Sequence, residues 1–219
     1  MPTHPTRALT AALATAMLLL TGCTANTAGQ PTPTAGTSGG LPTETGESPR
    51  PTTSATTSLP SYGAPAVKDP LDTGRFQKDP CLAVTATQAE ELGITPQGEQ
   101  RDAPLGLACR WGTVDMRGGI DLQWVDKPGI GISGDYKANQ NKKYKYFEVL
   151  PDIEGFPAIA GDVLDRRSDG VCSVSVGVSD QVAFFLALTQ SRDKVGTADP
   201  CDVAVRVAGM VLRTMKAGA

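Results

Sequence analysis

Residues 171–188 read VCSVSVGVSDQVAFFLAL, and this stretch predicts two paired strands. In its first half Cys172, Val174, Val176 and Val178 alternate with Ser173, Ser175 and Gly177, the two-residue period of a strand with unlike faces. Ser179-Asp180-Gln181 supplies a turn. The second half, Val182 to Leu188, is almost wholly apolar, which predicts a strand at the middle of a sheet. Two strands joined so tightly pair antiparallel.

Working outward, Asp199-Pro200 reads as an N-cap followed by proline at the first helical position. Val203, Val207, Met210, Val211 and Met215 then form an apolar stripe at helical spacing. On the N-terminal side, Thr85-Ala86-Thr87-Gln88 is a capping box opening a short helix to about Leu92, which Gly93 ends. Strands are expected over Cys109 to Thr113 and Ile120 to Val125, joined through Met116-Arg117-Gly118-Gly119. A helical piece is expected near Gly134 to Lys142 and a further strand over Tyr144 to Leu150. Together these elements predict an α+β domain, an antiparallel sheet packed with helices and stapled by two disulfides.

The N-terminal third reads differently. Met1 to Thr10 carries Arg7 as its only fixed charge, and Ala11 to Leu20 is an apolar run too short to span a bilayer. The run ends in Leu20-Thr21-Gly22-Cys23, which resembles the bacterial lipobox. That resemblance implies a signal peptide over 1–22 and lipidation of Cys23. Two or more acyl chains there would hold the chain on a membrane, each buried CH₂ contributing about 0.8 kcal/mol. Residues 23–66 are rich in Thr, Ser, Pro and Gly and bury too little to offset their ordering entropy. They read as a disordered tether with a reach on the order of 35–40 Å. The folded domain is placed at 67–219.

Four cysteines, Cys81, Cys109, Cys172 and Cys201, lie in that domain. An even count in an exported chain reads as two disulfides, with three connectivities open. Cys109 and Cys172 sit on predicted strands and could pair across the sheet. Cys81 and Cys201 each occupy an Asp-Pro-Cys at a helix start, and a bridge between them would close a loop of about 120 residues. A reactive thiolate at a helix N-terminus is the alternative, without a Cys-x-x-Cys or a neighbouring histidine to support it. A Cys₄ zinc site lacks close ligand spacing.

The lipobox and Thr/Pro-rich tether are followed by Asp79-Pro80-Cys81 with a short helix. Then come Cys109-Arg110-Trp111, the strand cysteine Cys172, and Pro200-Cys201 opening the last helix. In this pattern the chain resembles an actinobacterial lipoprotein family, domain of unknown function 3558. The resemblance implies an extracytoplasmic lipoprotein of a Gram-positive actinobacterium, with a sheet flanked by helices. It carries over no catalytic residue.

Composition excludes several functions. The single histidine, His4, lies in the expected signal peptide, so the mature chain lacks the base of a Ser-His-Asp or Cys-His arrangement and any imidazole metal ligand. Net charge is −3 and aromatics are 5% of residues, which argues against nucleic acid as a partner. No cofactor and no metal are expected. Gly129-Ile130-Gly131-Ile132-Ser133-Gly134 matches a dinucleotide fingerprint by letter, but the strand before it reads as half of a hairpin rather than of a parallel βαβ unit. Ser191-Arg192-Asp193-Lys194 matches a Ser-x-x-Lys box in a polar loop. Asp115, Asp121, Asp126, Asp152 and Glu154 show no spacing that singles out a catalytic pair. The best binding candidate is the basic and aromatic run of Tyr136, Lys137, Lys142, Lys143, Tyr144, Lys145, Tyr146 and Phe147. It reads either as a contact for anionic lipid, wall polymer or a protein, or as an edge strand whose lysines block pairing while its aromatics pack inward.

The expectation is therefore a non-enzymatic, lipid-anchored module on the extracytoplasmic face of the cell membrane. Its partner would be an envelope protein or wall component. The alternative is a carrier with a lipid or other hydrophobic ligand between the sheet and a helix, sought between Val182–Leu188 and Val203–Met215.

Overall fold

The computed structural model describes residues 58–113 and 117–218. The signal-peptide reading, Cys23, most of the tether, Asp115 and Met116 lie outside the described residues. The strands found in residues 171–188 are β6 (Val171–Gly177) and β7 (Ala183–Thr189). They pair antiparallel, and β7 is the fourth strand of seven, as its apolar sequence requires. The others are β1 (Glu99–Ala103), β2 (Gly106–Gly112), β3 (Gly119–Val125), β4 (Tyr146–Ile153) and β5 (Phe156–Asp162). The order is β1-β2-β3-β7-β6-β5-β4, antiparallel throughout. The helices are α1 (Gly74–Lys78), α2 (Ala86–Glu91), α3 (Ser133–Gln140) and α4 (Pro200–Gly218), with a 3-10 turn at Pro80–Ala83. The described residues belong to one compact unit, Thr52–Ala219. Both the α+β class and the two disulfides are present.

The register sorts side chains onto two faces. On one face lie Cys109, Trp111, Leu122, Trp124, Phe184, Leu186, Val174 and Val176, all at most 1% exposed or less. Val207, Val211, Leu212 and Met215 of α4 close over them. Trp124 is anchored there by its Nε1–H, which donates to the Phe76 carbonyl at 2.7 Å. Thr85 and Gln88 form the expected capping box reciprocally, and Gly93 takes φ +68° just past the helix.

The cysteines pair as Cys81–Cys109 and Cys172–Cys201. This corrects both pairings weighed from sequence. Cys109 on β2 and Cys172 on β6 are separated by β3 and β7. At about 4.8 Å per strand step their backbones stand roughly 14 Å apart, twice the reach of a disulfide. Each strand cysteine instead bonds to the helix start lying over it, with Cα atoms 5.2 and 5.1 Å apart. The two Asp-Pro-Cys sites are alike in capping: Asp79 Oδ1 accepts from the Cys81 amide at 3.0 Å, and Asp199 Oδ1 from the Cys201 amide at 2.7 Å. Trp111 and the Cys109 sulfur lie side by side under Gly98, where an added Cβ would meet both.

Three elements escape sequence reading. β1, EQRDA, has no apolar alternation because it is an exposed edge strand. β5, FPAIAGD, has none because both of its faces are covered and all seven residues are buried. α1 is only five residues long. The expected end of the tether is also displaced. Ser61, Tyr62 and Ala64 already dock on the domain: the Ser61 amide donates to Ser133 Oγ at 3.0 Å, and Gln140 Nε2 to the Tyr62 carbonyl at 2.9 Å. A polar, proline-rich composition hides such a strap because it is held by few contacts, mostly backbone hydrogen bonds.

Candidate functional site

The carrier pocket expected between β7 and α4 is largely filled. Phe184, Leu186, Val207, Val211 and Leu212 interdigitate there at 0–1% exposure. A hollow of about 270 Å³ at the margin reaches Leu188 and Val203. A larger depression, about 710 Å³, is an open groove along the outside of α4. Its Arg213 is bound to Glu154, and no buried polar atom without a partner lines it.

The opposite face of the sheet is built differently. Its central row runs from Ala108 through Gln123, Phe185 and Ser175 to Ile159. α3 covers the Ile159 end, where Ile132, Tyr136, Phe147 and Ala64 form a second small core. Tyr136 and Phe147 meet edge to face with ring centroids 5.5 Å apart. The loop leading into α3 is pinned by Gly131, whose amide donates to the Gln181 carbonyl at 2.9 Å. Gly131 has φ +49°, and a Cβ there would stand 2.7 Å from the Asp180 carbonyl oxygen. The glycine run therefore serves close approach to the β6–β7 turn in a wholly antiparallel sheet, not a dinucleotide.

Beside α3 this arrangement leaves a cleft of about 460 Å³. Leu105, Val125, Pro128, Ile130 and Phe185 make its apolar walls, and Lys127 and Lys137 stand in the lining as exposed cations. Gln123, Asp135, Tyr144 and Ser175 supply its uncharged or buried polar groups. Tyr144 donates its hydroxyl to Asp135 Oδ1 at 2.6 Å. Burial pushes the Asp135 carboxyl above its ordinary pKa, against the lowering effect of hydrogen bonds from Tyr144 and Ser175. Burial, then the adjacent Asp135, pushes the Tyr144 phenol well above its usual range, so it remains a neutral donor. Gln123 Nε2 is buried with no hydrogen-bond partner. An unmet buried donor costs about 1–3 kcal/mol, which makes it an unspent contact for an acceptor. A smaller hollow of about 210 Å³ adjoins across the shared Gln123 and Phe185. There Arg101 and Arg110 both reach Asp121, and Glu99 faces Arg110 on the edge strand, so that end is balanced in charge.

The structure divides the basic and aromatic run. Tyr144 enters the cleft, and Tyr136 and Phe147 pack under α3. Tyr146 lies beneath the Arg167 guanidinium at 3.5 Å, its phenol pushed up to about 12 by burial and by its hydrogen bond to Glu148. Lys142, Lys143 and Lys145 remain exposed beside the edge strand β4. Next to them, where the Lys145 amide donates to the Asp162 carbonyl, the chain exposes Val163 and Leu164 at 52% and 68%. Asp162 holds that loop, accepting from the Leu164 amide and from Arg166 Nε.

Three of the remaining sequence candidates are tied up in local contacts, while Asp126 Oδ1 is buried without a hydrogen-bond partner and lies outside the cleft lining. Ser191 donates to Asp193 in its own turn at 2.7 Å. Asp121 and Glu154 are held by arginines. Among the described residues no group of His, Cys, Asp or Glu is placed to hold a metal ion, and no helix is long and apolar enough to cross a membrane. Sequence reasoning missed Gln123, Phe185 and Asp135. The alternation of β3 puts Gln123 opposite the core face, but no local signal says that α3 half-covers that face.

The model of a family described as protein of unknown function (DUF3558) matches residues 18–214. The chain belongs to that family. The DUF3558 match takes in the sheet, most of α4 and both disulfides, and its first residues include Leu20 to Cys23. No curated protein and no solved structure matches the chain.

Proposed function

We propose that this chain is a lipoprotein held by Cys23 on the extracytoplasmic face of the cell membrane. Its domain is a non-enzymatic binding module that holds a small, largely apolar ligand in the cleft beside α3. The observation that carries the reading is the cleft itself. Its roughly 460 Å³ falls within the range of small-molecule sites, its walls are apolar, and one buried amide donor faces no partner. The non-enzymatic reading rests on the chemistry left over. All four domain cysteines are spent in disulfides, the mature chain has no histidine, and the serine of the Ser-x-x-Lys box is bonded within its own turn.

Native mass spectrometry of the chain purified from its own membrane fraction tests this. A stoichiometric apolar molecule released on solvent extraction supports the reading, and a clean unliganded mass for the domain removes it. A second reading, docking to an envelope partner, rests on the exposed Val163–Leu164 tip beside Lys142, Lys143 and Lys145. Crosslinking from Lys143 in intact cells tests it.

A further inference from the structure

We infer that the cleft beside α3 is a site for an amphipathic anion: a molecule with one apolar chain and an acidic head, such as an acyl carboxylate or a phosphate ester. The inference rests on the cleft being a ligand site, and adds the class of ligand.

Three observations carry it. The chain end is specified by the walls, where Leu105, Val125, Ile130 and Phe185 offer hydrocarbon and no hydrogen bond. The head is specified by charge. Lys127 and Lys137 are the cations of the lining, and Asp135 is its one acid. Asp135 already accepts the Tyr144 hydroxyl, and burial disfavours its ionised form, so it offers little attraction for a cationic head. Lys137 leans over the Tyr62 ring at 5.3 Å, a contact that leaves its ammonium donors available. The third observation is the polarity of the unmet contact. Gln123 Nε2 is a donor, so the group that meets it is an acceptor such as a carboxylate, phosphate or ester oxygen. Lysine, lysine and amide all ask for oxygen acceptors. The chain as a whole carries net charge −3, so bulk attraction does not draw anions to it and the preference has to be local.

The test uses the mature chain from residue 23 onward with Cys23→Ser, titrated calorimetrically below micelle concentration with dodecanoate, dodecanol and dodecyltrimethylammonium. Dodecanoate should bind saturably at one site and more tightly than either other probe. Lys127→Gln with Lys137→Gln, both at exposed positions, should weaken dodecanoate by about tenfold or more and leave dodecanol unchanged, as loss of charge-assisted contacts predicts. Gln123→Leu should weaken it further by removing the donor. If dodecanol or the ammonium probe equals dodecanoate, or the lysine variant binds dodecanoate like the parent, the anion assignment is wrong while the cleft stands as a binding site. If none of the three binds and Ile130→Trp, which fills the cleft, does not alter the molecule extracted from native protein, both the assignment and the site fail.

Discussion

Removing the Cys172–Cys201 bridge by Cys172→Ala with Cys201→Ala tests how this domain is held together. The bridge closes a segment of 29 residues. In the chain-entropy model a loop of that size takes about 12 cal/mol/K from the unfolded chain, or about 3.6 kcal/mol at 25 °C. Cys172 is 1% exposed and sits under the start of α4, so two small cavities add to the loss rather than offset it. The alternative bridge from Cys81 to Cys201 would enclose about 120 residues and contribute nearer 5 kcal/mol. Urea denaturation of the mature Cys23→Ser chain, without reductant, reads the difference against parent. A loss of about 3–5 kcal/mol at unchanged m-value is expected, and peptide mapping of the unreduced parent should join Cys81 to Cys109 and Cys172 to Cys201. A peptide joining Cys109 to Cys172 would refute the sheet order, since two strands stand between them. A loss below about 1 kcal/mol with the mapped bridges correct would refute the entropic reasoning.

Other changes follow from single contacts. Trp124→Phe keeps most of the buried ring but orphans the Phe76 carbonyl, and chemical denaturation should show a loss of about 1–3 kcal/mol. Gly119→Ala places a Cβ against the Trp111 carbonyl at a backbone φ of +139°, and thermal melting should show the β2–β3 pairing damaged well beyond an ordinary surface change. Asp135 binds its proton more tightly folded than unfolded, so the fold loses stability as pH rises from about 4 through the raised folded pKa. Asp135→Asn should therefore be more stable than parent at pH 7, with the difference shrinking towards pH 3; a constant difference across pH would show that burial does not govern this carboxyl.

Much of the architecture is legible in the sequence because its signals are local. The alternation of Cys172 to Val178, the apolar run that became β7, the capping box at Thr85 and the two Asp-Pro-Cys caps each depend on residues a few positions apart. Hydrogen bonds of that range form wherever the segment ends up. The even cysteine count likewise predicts two bridges, and the missing histidine limits the chemistry. None of this depends on which strand lies beside which.

The rest was decided in three dimensions. Disulfide connectivity follows from sheet order, because a bridge spans only neighbours in space, and β3 and β7 separate Cys109 from Cys172. β1 and β5 lack alternation for opposite reasons, one exposed and one covered on both faces, and coverage is a property of what packs above. The basic and aromatic run is continuous in sequence but divides between the cleft, the small core under α3 and the solvent edge, because a helix end and a strand point successive side chains in different directions. The cleft itself joins Leu105, Gln123, Pro128, Asp135 and Phe185 from separate parts of the chain, and only the docking of α3 over half of one sheet face makes them neighbours.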